Sequence, residues 1–206
     1  MSEFLDAMTF RHACKAFDSE KQIPAEQFES MLEVVRKSPS SFGMEPWRVI
    51  VIRNPNLRKA LKSACWNQNQ ITDCSELVIF TTDNDTVRSD TAYVRKMFER
   101  RGLPSEAVDT YMGVYKNYLE PIEADELLLE NWTAKQCYIA MANMMTYAAT
   151  LKIDSCPIEG FDKEEVEAIL DLEYGHSVAV ICAFGYRAKE QSVQKRLDLG
   201  QIVEYR

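Results

Sequence analysis

The sequence predicts an α/β or α+β sandwich, a sheet covered by helices on its faces. Residues 47–52, 76–82 and 177–184 are short, apolar and rich in β-branched side chains, as buried strands are. The segments between them carry apolar residues at helical spacing, and strands buried on both faces need helices to cover them. A length of 206 residues suits one domain, 1–206, large enough to bury a real core.

Each element has a local reason. Residues 2–10 read as a short helix, and 11–18 as polar, irregular chain. Pro24 opens the next helix, where its fixed φ suits a first turn, and Phe28, Met31, Leu32 and Val35 share one face. That helix stops near Ser38-Pro39, because the residue before proline disfavours the α region. Residues 40–46 are a loop by turn chemistry, leading into the strand at 47–52. A short helix over 57–64 precedes the strand at 76–82. Residues 87–101 and 104–119 are expected as two charged, aromatic-bearing helices.

Asn131 is expected to cap a long helix over 132–151. That helix is apolar nearly all round, so it is buried on several sides, in a core or in a subunit interface. Asp162 with Glu165 three residues on predicts a capped helix ending near Leu170. The run 177–184 is the clearest strand, ended by Gly185-Tyr186, and 187–206 reads as an extended polar tail.

Composition closes several functional routes. The seven glycines form no G-x-G-x-x-G and no Walker A loop. Two histidines cannot supply a three-His zinc site, and H-E-x-x-H is absent, so no metal site is expected. No C-x-x-C pair occurs among the six cysteines. The net charge of −8 argues against nucleic acid. The basic group Arg95, Lys96, Arg100 and Arg101 reads as a solvated helix face. The opening residues do not read as a secretory leader, and the longest apolar run is too short to span a bilayer. A cytoplasmic, reducing location with free thiols is therefore expected.

Four segments carry candidate chemistry. Arg11-His12-Ala13-Cys14-Lys15 packs three potential cations into five residues. Ser38 to Trp47 is a small-residue turn feeding a strand. Asn67-Gln68-Asn69-Gln70 offers four amides, donor–acceptor partners for the edge of a heteroaromatic ring. Pro157-Ile158-Glu159-Gly160-Phe161 includes a glycine that permits close backbone approach to a ligand. Each segment alone is also ordinary loop chemistry. Taken in order, RHACKAFD (11–18), SPSSFGMEPW (38–47), NQNQITD (67–73), PIEGF (157–161) and KRL (195–197) resemble the FMN-dependent nitroreductase family.

The resemblance implies a three-layer α+β sandwich with a mostly antiparallel central sheet, a long central dimer helix and an extended C-terminal tail. It implies an obligate homodimer holding tightly bound FMN in clefts built by both chains, with NADH or NADPH as co-substrate. The cofactor would take a hydride and then reduce an electron-poor aromatic acceptor, such as a nitroaromatic or quinone, with ping-pong kinetics. No catalytic side chain is implied. Flavin reductases, enoate reductases and dehalogenase-like enzymes share the superfamily, and a non-enzymatic flavin-binding protein would keep the fold.

By the same resemblance, Arg11 and Arg196, with Lys195, meet the FMN phosphate, where the guanidinium fork suits phosphate oxygens. His12 and Ala13 adjoin them. Lys15, Asn67 and Gln70 lie by the pyrimidine edge. Pro39, Ser40, Ser41 and Gly43 touch the flavin of the partner subunit. Pro157, Ile158, Glu159 and Gly160 run along the reactive nitrogen.

Four positions depart from the family pattern: Ala13 where many members have Ser, Gly43 where Asn is common, Glu45 for Gln, and Gln70 where some members have Lys. Without a cation at 70, a lower flavin potential than in Lys-bearing relatives is expected. Lys195 and Arg196 are adjacent, where the family often spaces them by one residue, so Arg196 is the firmer assignment. By the resemblance, residues 87–130 form a helical excursion shaping the mouth of the active-site cleft, and its Phe98, Tyr111, Tyr115 and Tyr118 either pack the excursion or stack a flat substrate. Cys14 reads as buried filler or a redox thiol, and His176 as a surface turn residue.

Overall fold

The computed structural model describes residues 2–206. In chain order the strands are β1 (Trp47–Ile52), β2 (Glu76–Asp83), β3 (Asp154–Ile158) and β4 (His176–Gly185). They pair in the spatial order β1-β2-β4-β3, every pairing antiparallel. The expected antiparallel α+β sandwich is therefore present.

Helices cover both faces. On one side lie α2 (Ala25–Arg36) and α7 (Glu126–Thr150); on the other, α3 (Pro55–Ala64), α4 (Gln70–Asp73) and α8 (Lys163–Leu170). The period of two along β2 sorts its side chains. Val78 and Phe80 enter the core beneath α2 and α7, with Met31, Met144 and Phe184. Leu77 and Ile79 enter the opposite core, with Leu61, Ile71 and Ile181. Each such fully buried side chain stabilises the fold by about 1.5–3 kcal/mol.

A third cluster belongs to the excursion, α5 (Ala92–Glu99) and α6 (Ser105–Glu123). Met97, Phe98, Val108, Tyr115 and Leu119 pack there against Trp132 of α7 and Met44 of the 40–46 loop. Phe98 and Tyr115 are fully buried, so of the four candidate aromatics these two pack the excursion. Tyr111 and Tyr118 stay exposed on α6.

Several boundaries differ from expectation. The region expected as helix from 87 begins as turns, and α5 starts only after Thr91, whose Oγ1 accepts from Val94 N. The long helix begins at Glu126 rather than 132. Asp125, not Asn131, is its cap, its Oδ1 accepting from Leu127 and Leu128 N. Asn54 caps α3 and Pro55 opens it, two residues before the expected start. The amide run is not all loop, because Gln70 begins the one-turn α4.

β3 has no counterpart in the sequence reading; it is short and contains Pro157, which only an edge strand tolerates well. His176 opens β4 opposite Asp83 and is half-buried, not a free turn residue. The tail is extended except for the single turn α9 (Leu199–Ile202), boxed by Asp198 and Gln201. No helix among the described residues is long and apolar enough to cross a membrane.

Candidate functional site

The chain turns out of α1 (Glu3–Phe10) at Arg11 and runs between β3 and the start of the tail. Cys14 N donates to Ser155 O, Ala188 N to Ala16 O, and Asp18 N to Tyr186 O. Three remote segments are thereby tied side by side. Gln194 Nε2 donates to the carbonyls of Met8 and Arg11, bringing the tail back over the N-terminal motif. The result is a cleft of about 680 Å³ that gathers Arg11, His12, Ala13, Lys195 and Arg196.

A buried ion pair braces this junction. Arg187 donates from its backbone N and from Nε to the Asp154 carboxylate, at 2.8 and 2.9 Å. His12 Nδ1 sits 3.5 Å from the same carboxylate. Burial, with the Arg187 charge beside it, holds the His12 imidazole below its ordinary pKa despite Asp154. His12 is thus a neutral member of the cleft near neutral pH.

Among the described residues, Arg36, Arg48, Arg88, Arg95, Arg100 and Arg187 all contact carboxylates. Among the described residues, Arg11, Lys15, Lys195 and Arg196 make no ion pair with a carboxylate, as several lysines elsewhere on the surface also do not. Arg11, Lys195 and Arg196 converge on the cleft, and cations so gathered on one concave surface have the chemistry of an anion site. A phosphate fits this donor set.

A second locus adjoins β3. Lys15 Nζ lies 3.6 Å and Gln70 Nε2 4.0 Å from the sulfur of buried Cys156. Burial raises the Cys156 thiol, with Lys15 opposing, so the sulfur is a neutral, soft acceptor between them. Lys15 and Gln70 thus meet at Cys156, the residue that precedes Pro157 and Ile158 on β3. Asn67 is exposed in a left-handed conformation, φ 56°, beside Trp66 at φ 53°. The turn is locked onto Gly160: Gln68 Nε2 donates to Gly160 O at 2.8 Å. A Cβ at Gly160 would lie 2.7 Å from Trp66 Cε3, so the glycine admits the indole. Glu159 is held from α7, accepting from Tyr138 OH at 2.6 Å.

Pro39, Ser40, Ser41 and Gly43 stand apart. Among the described residues no hydrogen bond or ion pair links them to the cationic cleft. Ser41 N donates to Gln136 Oε1 of α7, and Ser40 Oγ accepts from Glu45 N. Cys14 is buried filler, its thiol pushed up to about 11 by burial. The basic group of α5 is not simply solvated. Arg95 meets Asp109, while Arg100 and Arg101 donate to carbonyls of the 40–46 loop.

Sequence reasoning missed Trp66, Tyr138, Asp154 and Arg187, and it named Gln68 only as one of four ring-facing amides, not as the partner of Gly160. Only the tryptophan gave a signal, as a large aromatic residue opening the amide run.

Residues 8–186 match the Nitroreductase family. YfkO of Bacillus subtilis, whose name places it among NAD(P)H nitroreductases, is 36% identical, the match covering 99% of this chain and 97% of that protein. A nitroreductase of Exiguobacterium sibiricum, solved in complex with FMN, superposes with a TM-score of 0.84 at 19% identity, covering 100% and 98% of the two chains. CLA-ER, an enone reductase of a gut-bacterial fatty acid saturation metabolism, superposes at 0.83 with 20% identity, covering 100% and 98%. The ordered motifs, the antiparallel sandwich and the family match over most of its length agree: the chain belongs to the nitroreductase family, a family of oxidoreductases.

Proposed function

We propose that the protein is an FMN-dependent NAD(P)H oxidoreductase acting on electron-poor aromatic acceptors such as nitroaromatics and quinones. The observation that carries this reading is the set of carboxylate-free cations, Arg11, Lys195 and Arg196, converging on one cleft. When bound, FMN would supply the ring that accepts a hydride from NAD(P)H and passes it on, the two substrates using one cleft in turn.

The chain's own residues hold and orient. Arg11 and Arg196 would grip the phosphate through their planar forks, Lys195 adding a point charge. Neutral His12 and the small Ala13 would border it. Lys15, Gln70 and Asn67 would present donors to the pyrimidine edge. Tyr138 and Gln68 would fix the strip from Pro157 to Gly160, so that its backbone lies along the ring. No acid, base or nucleophile is asked of a side chain.

A homodimer is part of the proposal. Phe4 is 61% and Leu5 52% exposed on α1, and Leu199, Ile202 and Tyr205 are exposed on the tail. A monomer gains nothing from presenting so much apolar surface. The loop from Pro39 to Gly43 would then serve the cofactor of the other subunit. With six buried free thiols, we assign the protein to the cytoplasm.

The absorbance spectrum of the purified protein, before and after adding FMN, tests the reading. Flavin bands that bleach anaerobically with NADH or NADPH are expected. No flavin uptake sinks it. A second reading, reduction of an activated alkene, is favoured by the close superposition on an enone reductase. Turnover of matched nitroaromatic and enone acceptors separates the two.

A further inference from the structure

The 40–46 loop is strained and held from outside. Phe42, Gly43 and Glu45 have φ of 53°, 68° and 47°, so two non-glycine residues occupy the left-handed region within four positions. Such backbone persists only where its surroundings over-determine it. Here the surroundings belong to the excursion. Arg100 Nη2 donates to Gly43 O at 2.9 Å and to the Glu45 carboxylate at 2.5 Å. Arg101 Nη2 donates to Phe42 O, and Tyr93 OH to Met44 O at 2.8 Å. The Phe42 ring packs edge-on to Tyr115, centroids 5.1 Å apart. The one carboxylate in this grip is Glu45.

We propose that Arg100 and Arg101 are positioning residues for the cofactor, holding this loop in the conformation that presents Ser40 and Ser41. The inference rests on the FMN reading above. It explains the two arginines that follow α5, since the excursion acts on the cofactor through the loop it grips. Charge-assisted bonds to carbonyls suit that role, because they are short, directional and stronger than neutral ones.

The test needs no turnover. Hydrogen exchange is measured on FMN-free full-length protein for wild type, Arg100→Met, Arg100→Lys, Arg101→Met and Arg95→Met. Arg95 sits on α5, just before Arg100 and Arg101, and pairs with Asp109, off the loop. Exchange over residues 41–46 is expected to accelerate about tenfold in Arg100→Met and Arg101→Met, the scale of one lost charge-assisted bond. Arg100→Lys should be intermediate, and Arg95→Met unchanged. FMN dissociation constants from fluorescence titration should rise in the same order.

Unchanged exchange over 41–46 overturns the clamp. Exchange that rises equally throughout the chain overturns it too, because the arginines would then be general stabilisers. Faster loop exchange with an unaltered FMN dissociation constant overturns the cofactor role alone. Wild-type protein that takes up no FMN overturns the functional reading, while the exchange data still decide the clamp.

Discussion

Arg187 turns back onto Asp154, its Nη2 2.5 Å from Oδ1, in a pair whose carboxylate is only 2% exposed. Breaking such a pair strands a buried charge. Arg187→Met is expected to cost about 3–5 kcal/mol of unfolding free energy by chemical denaturation. Adding Asp154→Asn should recover part of that loss, because the stranded carboxylate is gone. A loss below about 1 kcal/mol in Arg187→Met would contradict the brace.

Gly160→Ala places a methyl group against the Trp66 indole. Trp66 is 72% exposed, so the ring can swing away instead of compressing the core. Stability should fall by less than about 1 kcal/mol, within the usual range for surface changes. Tryptophan emission should shift, and FMN affinity should drop as the strip moves. An unshifted emission spectrum would show that the indole does not rest on Gly160.

Removing a phosphate cation should weaken FMN binding more than it weakens the fold. Arg196→Met or Arg11→Met should raise the FMN dissociation constant by about ten- to a hundredfold, the scale of hydrogen bonds to charged groups. Lys195→Met should cost less. Titrations at rising salt should narrow the gap between wild type and variants. Equal affinities would remove the cleft from cofactor binding.

Gln70→Lys tests the missing cation. Gln70 is buried and shares the Cys156 sulfur with Lys15, so a lysine there adds a second ammonium beside the first. The FMN-free variant should be less stable than wild type. The bound flavin should gain reduction potential, by about 30 mV for each 1.4 kcal/mol of added stabilisation of the reduced ring. Spectroelectrochemistry reads the difference, and an unmoved potential discards the idea.

The thiols give a pH prediction. Burial pushes Cys14 up to about 11, and Cys65, Cys74 and Cys137 to about 12, from an ordinary 9.0. These groups stay protonated in the fold and ionise more readily once unfolded. The stability they contribute is therefore intact below about pH 9 and is lost as pH rises toward 11–12. Native protein at pH 8 should react with a disulfide reagent far more slowly than denatured protein, which should expose six thiols. Rapid native labelling would place a thiol at the surface.

Local pattern announced what local physics decides. The apolar strands β1, β2 and β4 were legible from composition, and Asp162 from its spacing to Glu165. β3 was not, because Asp154, Ser155 and Pro157 break its apolar run, and only pairing with β4 makes it a strand. The start of α7 was misread because Asn131 resembles a cap, although Asp125 stands before three leucines. Within the site, the cations could be read because they cluster in short motifs. The contacts that hold them could not. Arg187 meets Asp154 across 33 residues, and Gln68 meets Gly160 across 92. Such pairings exist only once the topology is known.

β3 has one further consequence. The margin of a sheet is a template on which foreign strands can grow, and proteins blunt such margins to stay out of fibrils. On β3 the Ser155 carbonyl is taken by Cys14 N, and Pro157 has no N–H to offer. An incoming strand would find an interrupted ladder. The proline that opens the strip from 157 to 160 therefore also guards the protein against self-association in the wrong geometry. A substitution there would be felt in solubility during expression before any assay of chemistry was run.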